Sequence, residues 1–158
     1  MKRSVLSVLV ENESGVLARI SGLFSRRGYN IESLTVGPSE QEGLSRMIIV
    51  TQDDVEQVKK QLNKLINVIK ITDLSELPYV DRELALIKVS SKQNRAEIIE
   101  IADLFRSRII DVAEDSLVVE VTGDSEKINA VIQLILPFGI KELARTGSVA
   151  LLRGKKFN

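Results

Sequence analysis

The chain has 158 residues, its 22 Lys and Arg balance its 22 Asp and Glu, and it contains no Cys, His or Trp. Thiolate nucleophiles, Ser-His-Asp triads and zinc, haem or iron–sulfur centres are therefore excluded, while carboxylate sites for Mg²⁺ or Ca²⁺ stay formally open. Charge is evenly spread and there are only four Phe and two Tyr, so neither a basic stripe nor a stacking surface for nucleic acid is available.

The opening Met1-Lys2-Arg3-Ser4 is basic, but Glu11, Asn12 and Glu13 soon interrupt the apolar run behind it. That run is too short for a signal peptide or a membrane span, and a cytoplasmic protein is the expectation. Ser4 to Val10 reads as a strand. Gly15 to Arg26 places Val16, Leu17, Ile20, Leu23 and Phe24 on one helical stripe, and Gly28 suits the left-handed residue that closes such a helix. Asn30 to Val36 and Ser45 to Thr51 read as two strands joined by a loop holding Gly37, Pro38 and Gly43. A second helix follows, with Asp53 and Asp54 at its positive end and Val55, Val58, Leu62, Leu65 and Ile66 as its buried stripe. Val68 to Leu74 closes the unit in the order βαββαβ.

The same order then repeats. Glu83 to Ser90 predicts a strand, and Asn94 with Glu97 predicts a capping box before a helix burying Ile98, Ile101, Ala102 and Phe105. Ile109 to Ala113 and Leu117 to Thr122 form a hairpin. Ser125 is the expected cap of a helix striped by Ile128, Val131, Ile132 and Ile135 and stopped by Pro137 and Gly139. Ile140 to Leu152 contains the last strand. The boundary falls near Leu77-Pro78-Tyr79, which divides the chain into domains 4–78 and 79–158. The fold class is α+β, two consecutive ferredoxin-like βαββαβ domains, each an antiparallel sheet with helices on one face.

The other face of the first sheet also reads as apolar. Val5 and Leu9 lie on one side of the first strand, and Leu6, Val8 and Val10 lie on the opposite side. A sheet greasy on both faces needs a second cover, from the rest of the chain, from a second copy or from another protein.

The locally unusual segment is Glu11-Asn12-Glu13-Ser14-Gly15-Val16-Leu17, between the first strand and the first helix. Backbone amides at a helix start have no internal partner and can receive a carboxylate, and a glycine lets a ligand approach them. The Asn12 side chain can accept from an ammonium and donate to a carboxylate, the two ends of an α-amino acid. Equally, Asn12 or Ser14 can simply cap the helix while Gly15 eases a turn. The equivalent turn of the second half, Ser90-Ser91-Lys92-Gln93-Asn94, has no glycine. That contrast favours a ligand role for the first turn alone.

The stretch VLVENESGVLARISGLFSRRGYNIESLTVGP, with LSRMIIVT at 44–51 and ARTGSVALLRG at 144–154, resembles the regulatory small subunits of acetolactate synthase, whose amino-terminal half is an ACT domain. The likeness runs over essentially the whole chain. It implies a protein that performs no chemistry itself. Such a protein joins a separate catalytic large subunit carrying thiamine diphosphate, Mg and FAD, raises its activity and confers feedback inhibition by valine in branched-chain amino-acid synthesis. It also implies a homodimer formed through the ACT domains, with the effector held where they pair. Carried over by position, Asn12, Gly15, Val16 and Leu17 hold the effector's polar end, and Asn30 and Ile31 of the neighbouring protomer complete the pocket. No cofactor or metal is expected in this chain.

Three other functions are compatible with a βαββαβ order. The chain could regulate a different metabolic enzyme through an ACT-type amino-acid site. An acyl-phosphate hydrolase needs a cation in the first loop, where this chain has Glu11 and Glu13. An RNA-binding sheet needs exposed aromatics, where the third strand offers Arg46, Ile48 and Val50.

Overall fold

The computed structural model describes residues 2–155. Nine strands, four α-helices and one 3₁₀ turn appear there in two compact units. The first unit runs through Val80 and takes back the segment beginning at Ser148, whereas the second is Asp81–Gly147.

In the first unit, β1 (Ser4–Glu11), α1 (Val16–Arg27), β2 (Ile31–Pro38), β3 (Leu44–Thr51), α2 (Val55–Asn63) and β4 (Val68–Asp73) follow the order expected from periodicity. The strands lie as β2-β3-β1-β4, all antiparallel. Leu6, Val8 and Val10 of β1 meet Ile20 and Phe24 of α1 and Val58 and Leu62 of α2 in one core. Gly28 closes α1 at φ 70° with its amide turned back to Ser25, as a left-handed cap requires. Asp54 caps α2 by accepting from the amides of Glu56 and Gln57. The α2 stripe stops sooner than its spacing suggests. Lys64 and Leu65 donate to carbonyls three residues back, the helix ends at Asn63, and Ile66 is turned out to 87% exposure.

β5 (Tyr79–Ser90) starts on the last two residues of the first unit and runs into the second, which goes on with α3 (Arg95–Leu104), β6 (Arg108–Val112), β7 (Ser116–Gly123), α4 (Ser125–Ile135), a 3₁₀ turn at Leu136–Phe138 and β8 (Ile140–Arg145). Its strand order, β6-β7-β5-β8, repeats the first. Ala85, Ile87 and Val89 pack with Ile98, Ala102, Ile128, Val131 and Ile135. Two caps differ from expectation. Asn94 makes no side-chain cap bond, and α4 is capped by Asp124, whose carboxylate accepts from the Lys127 amide at 2.9 Å, with Ser125 already in the helix. At the far end of this sheet the buried Glu83 carboxylate takes two bonds from Arg145, at 2.7 and 3.1 Å.

The chain end departs most from the sequence division, which assigned 79–158 to one domain with its last strand contained within Ile140–Leu152. Gly147, at φ 80°, turns the chain after β8 and begins a separate strand, β9 (Val149–Leu152), which pairs with β5. Arg153 donates to the Pro78 carbonyl at 2.9 Å and Ser148 donates to the Ser33 hydroxyl at 3.1 Å. Ala150 thereby lies against Val5, Ile48, Val50, Leu74 and Tyr79, on the sheet face opposite the helices. Part of the cover that face needs is thus supplied by the chain itself. Residues 156–158 lie outside the described residues.

Candidate functional site

The β1–α1 loop is held from beneath by its backbone and a few polar side chains. Glu11 and Asn12 donate their amides to the carbonyls of Asn67 and Gly43, at 2.9 and 2.8 Å. Asn67, buried in the α2–β4 turn, accepts from Arg19 and donates to Glu13. Its role was not legible in the sequence, because nothing local marks a turn asparagine as the brace of a distant loop.

The helix start is open except at Val16, whose amide donates to the Glu13 carbonyl at 3.3 Å. Gly15 is the N-cap at φ 86° and ψ −6°, and no side chain caps α1. Neither Asn12 nor Ser14 does so, and no acid stands in the first turn. The left-handed backbone gives Gly15 a conformational reason of its own, since a side chain there is strained although the space around it is open. The corresponding N-cap of the second unit, Asn94, sits at φ −126°. The contrast between the two turns is therefore one of backbone geometry before it is one of ligand access.

The Asn12 side chain is exposed and has no hydrogen-bond partner among the described residues, so its amide is free to meet something else. Leu17 is half exposed at 49%, and Val16 is buried beneath it at 4%. Glu13, hydrogen-bonded to Glu11 and repelling it, raises the Glu11 carboxyl above its ordinary value. The loop thus presents carboxylates and amide side chains to solvent, with no cation to cradle a phosphate. Its nearby arginine, Arg19, is turned to Asn67.

Asn30 and Ile31 stand elsewhere. Asp53 accepts from the Asn30 amide at 2.7 Å, and the Thr51 hydroxyl donates to the Asn30 carbonyl at 3.1 Å, so the backbone entering β2 is fixed. Asp53, read from sequence as a helix-end charge, does this while Asp54 does the capping. Ile31 pairs with Thr51 on β3, as Ser4 of β1 does, whereas Glu11 pairs with Leu44 at the other end of the sheet. At a rise of about 3.3 Å per residue the two groups are separated by roughly 23 Å along the sheet. One chain does not bring them together.

β2 pairs only with β3 among the described residues, leaving its other edge free. Between that strand and α1 lies a groove of about 370 Å³, lined by Phe24, Tyr29, Ile31 and Leu34 with Ser21 and Ser25 at its side. Phe24 and Tyr29 form its apolar floor with ring centroids 6.0 Å apart.

No group of three or more His, Cys, Asp or Glu that could hold a metal is found among the described residues, and no helix there is long and apolar enough to cross a membrane.

Comparison with known proteins covers both units. Residues 6–70 match the family described as the AHAS small subunit-like ACT domain, and residues 82–154 match that of the small subunit of acetolactate synthase. The chain is 56% identical over 158 residues to a probable acetolactate synthase small subunit of Archaeoglobus fulgidus, covering 98% of this chain and 99% of that one. It is 54% identical over 159 residues to the acetolactate synthase small subunit of Bacillus subtilis, covering 98% and 92%. Among solved structures, the acetolactate synthase small subunit from Thermotoga maritima superimposes with a TM-score of 0.91 at 41% identity, over 99% of this chain and all of that one.

Proposed function

The chain belongs to the family of acetolactate synthase small subunits, and from that premise we propose that it is a non-catalytic cytoplasmic subunit that activates a thiamine-diphosphate synthase and makes it sensitive to valine. Mg and FAD belong, with thiamine diphosphate, to that catalytic partner, and this chain needs no cofactor of its own.

The observation that carries the reading is the pairing of a helix start with no side-chain cap and no acid in its first turn with a side chain, Asn12, that has no partner among the described residues. The amides of α1 beyond Val16, whose own N–H goes to Glu13, receive the effector's carboxylate, with the helix dipole adding about 0.3–1 kcal/mol. The Asn12 carbonyl oxygen accepts from the ammonium, and the Glu11–Glu13 pair supplies a negative field beside it. The apolar arm needs a wall that this loop lacks.

Two-fold symmetry supplies the wall. If the free β2 edges of two copies pair antiparallel about the middle of the strand, Ile31 of one copy comes to the Pro38 end of the other. That is the end of the sheet where Glu11 pairs with Leu44 and Asn12 bonds to Gly43. The separation within one chain is thereby cancelled between two, and the free edge is satisfied in the same step. Effector binding and pairing then form one linked equilibrium, and a coupling of about 1–3 kcal/mol gives a 5–150-fold change in affinity between two quaternary states.

The test is co-purification with the host's thiamine-diphosphate synthase, followed by activity titration with valine, isoleucine and leucine. Activation on adding the chain, reversed by valine, is the expected result. A chain that neither binds nor stimulates the synthase would refute the reading.

A further inference from the structure

The first sheet's outer face is only partly covered by β9, and what remains open is not apolar. Arg46 and Lys70 each pair in register with Leu9, one from β3 and one from β4, so they stand in a row across three strands. Their backbones are about 10 Å apart at ordinary strand spacing, with Leu9 on the central strand between them. In the next row Thr72 pairs with Ser7, whose side chain is buried. These four polar groups line a cavity of about 340 Å³ whose rim is formed by Leu151 and Leu152 of β9.

The charges in this cavity are not balanced. Arg46 donates to the Ser7 hydroxyl at 3.1 Å and to Glu40 at 2.9 Å. Lys70 has no ion-pair or hydrogen-bond partner among the described residues, and neither has the Thr72 hydroxyl. The result is one excess positive charge and two free donors beside an aliphatic wall of Leu74, Leu151 and Leu152.

We propose that this cavity binds a small aliphatic carboxylate, with its carboxylate between Lys70, Thr72 and Arg46 and its apolar arm against Leu151 and Leu152. A monoanion matches the single excess charge, and a branched or short aliphatic arm fills the leucine side that a bare phosphate would leave open. The site is separate from the β1–α1 loop: it lies on the sheet face away from the helices. A ligand there bridges the sheet to β9 and so holds the chain's last strand in place. A lysine on an edge strand also discourages edge-to-edge pairing, and the experiment separates that role from binding.

The test is an amide NMR titration of the full chain with isobutyrate at low salt, in wild type and in Lys70→Met, Thr72→Val and the surface control Lys64→Met. Isobutyrate lacks the ammonium an amino-acid site requires, and the titration is repeated in Asn12→Ala to keep the two sites distinct. Perturbation of the Lys70, Thr72, Leu151 and Leu152 amides is expected. Affinity should fall at least about tenfold in Lys70→Met, the loss of one charge-assisted hydrogen bond, and stay unchanged in Lys64→Met and Asn12→Ala. No perturbation at these amides, or binding indifferent to Lys70→Met, would overturn the proposal. Inorganic phosphate binding as well as isobutyrate would overturn the assignment to an aliphatic carboxylate.

Discussion

Replacing Asn12 by alanine separates recognition from stability more cleanly than any other change in the loop. The Asn12 side chain is exposed and unpartnered among the described residues, and the one bond that fixes this residue is its backbone amide to Gly43. Alanine keeps that amide, so unfolding free energy should change by no more than about 0.5 kcal/mol. On the proposed reading, the valine contact would lose one or two hydrogen bonds to charged groups, each worth about 1.5–3 kcal/mol, which is roughly a 10–150-fold loss of affinity per bond. Gly15→Asp is a less clean probe, because φ 86° adds backbone strain to any effect on the ligand. The assay is valine inhibition of the reconstituted synthase, read beside a urea melt of the isolated chain. Full activation with inhibition shifted to much higher valine is expected. Inhibition at the wild-type concentration would refute the role given to Asn12, and so would a loss of inhibition explained entirely by unfolding.

Three further outcomes follow from the packing and the charges. The Glu11 carboxyl is raised because Glu13 hydrogen-bonds to it and repels its charge, so the folded chain holds that proton more tightly than the unfolded chain does. This group's contribution to stability is therefore present below its unfolded titration range and lost as pH rises through the folded one. Glu13→Gln should return Glu11 towards the ordinary carboxylate range, and an NMR titration of the Glu11 carboxyl that did not move would contradict the cause. Ala150→Asp buries an unpaired carboxylate against Val5, Ile48 and Val50 and should cost about 3 kcal/mol or more in denaturant unfolding, whereas a cost near zero would mean that β9 is not seated there. Arg145→Ala leaves the buried Glu83 charge without its bidentate partner and should cost about 1–3 kcal/mol, with Arg145→Lys recovering only part, as thermal melts would show.

What the sequence made legible is what periodicity carries. The apolar run Ser4–Val10 marks a strand buried on both faces, the stripes Val16–Ile20–Leu23 and Ile128–Val131–Ile135 each mark one buried helix face, and the two main cores draw on those residues. Choices decided by one hydrogen bond were harder to read. Asp124 and Ser125 are adjacent and both are good caps, and only backbone direction selects Asp124. Ile66 continues the α2 spacing on paper, but a tight turn of two i–3 bonds rotates it into solvent.

Long-range choices left no periodic trace. β9 is four residues long, and its attachment to the first unit depends on the turn at Gly147 and a bond from Ser148 to Ser33. Asn67 braces the loop from a turn more than fifty positions away. Within the candidate site, the glycine and the free asparagine were visible as chemistry. That Ile31 stands at the opposite end of the sheet became visible only through strand register.

The most direct test of a site shared by two copies is complementation between chains. Asn12→Ala and Ile31→Ala chains, each folded and dimeric but binding valine poorly alone, are unfolded together, refolded at equal amounts and titrated with valine by calorimetry. Random pairing makes half of the dimers mixed, each with one intact site, so about a quarter of all sites should return with wild-type affinity. No recovery in a mixture shown to contain mixed dimers would mean that valine is not held jointly by Asn12 of one subunit and Ile31 of the other.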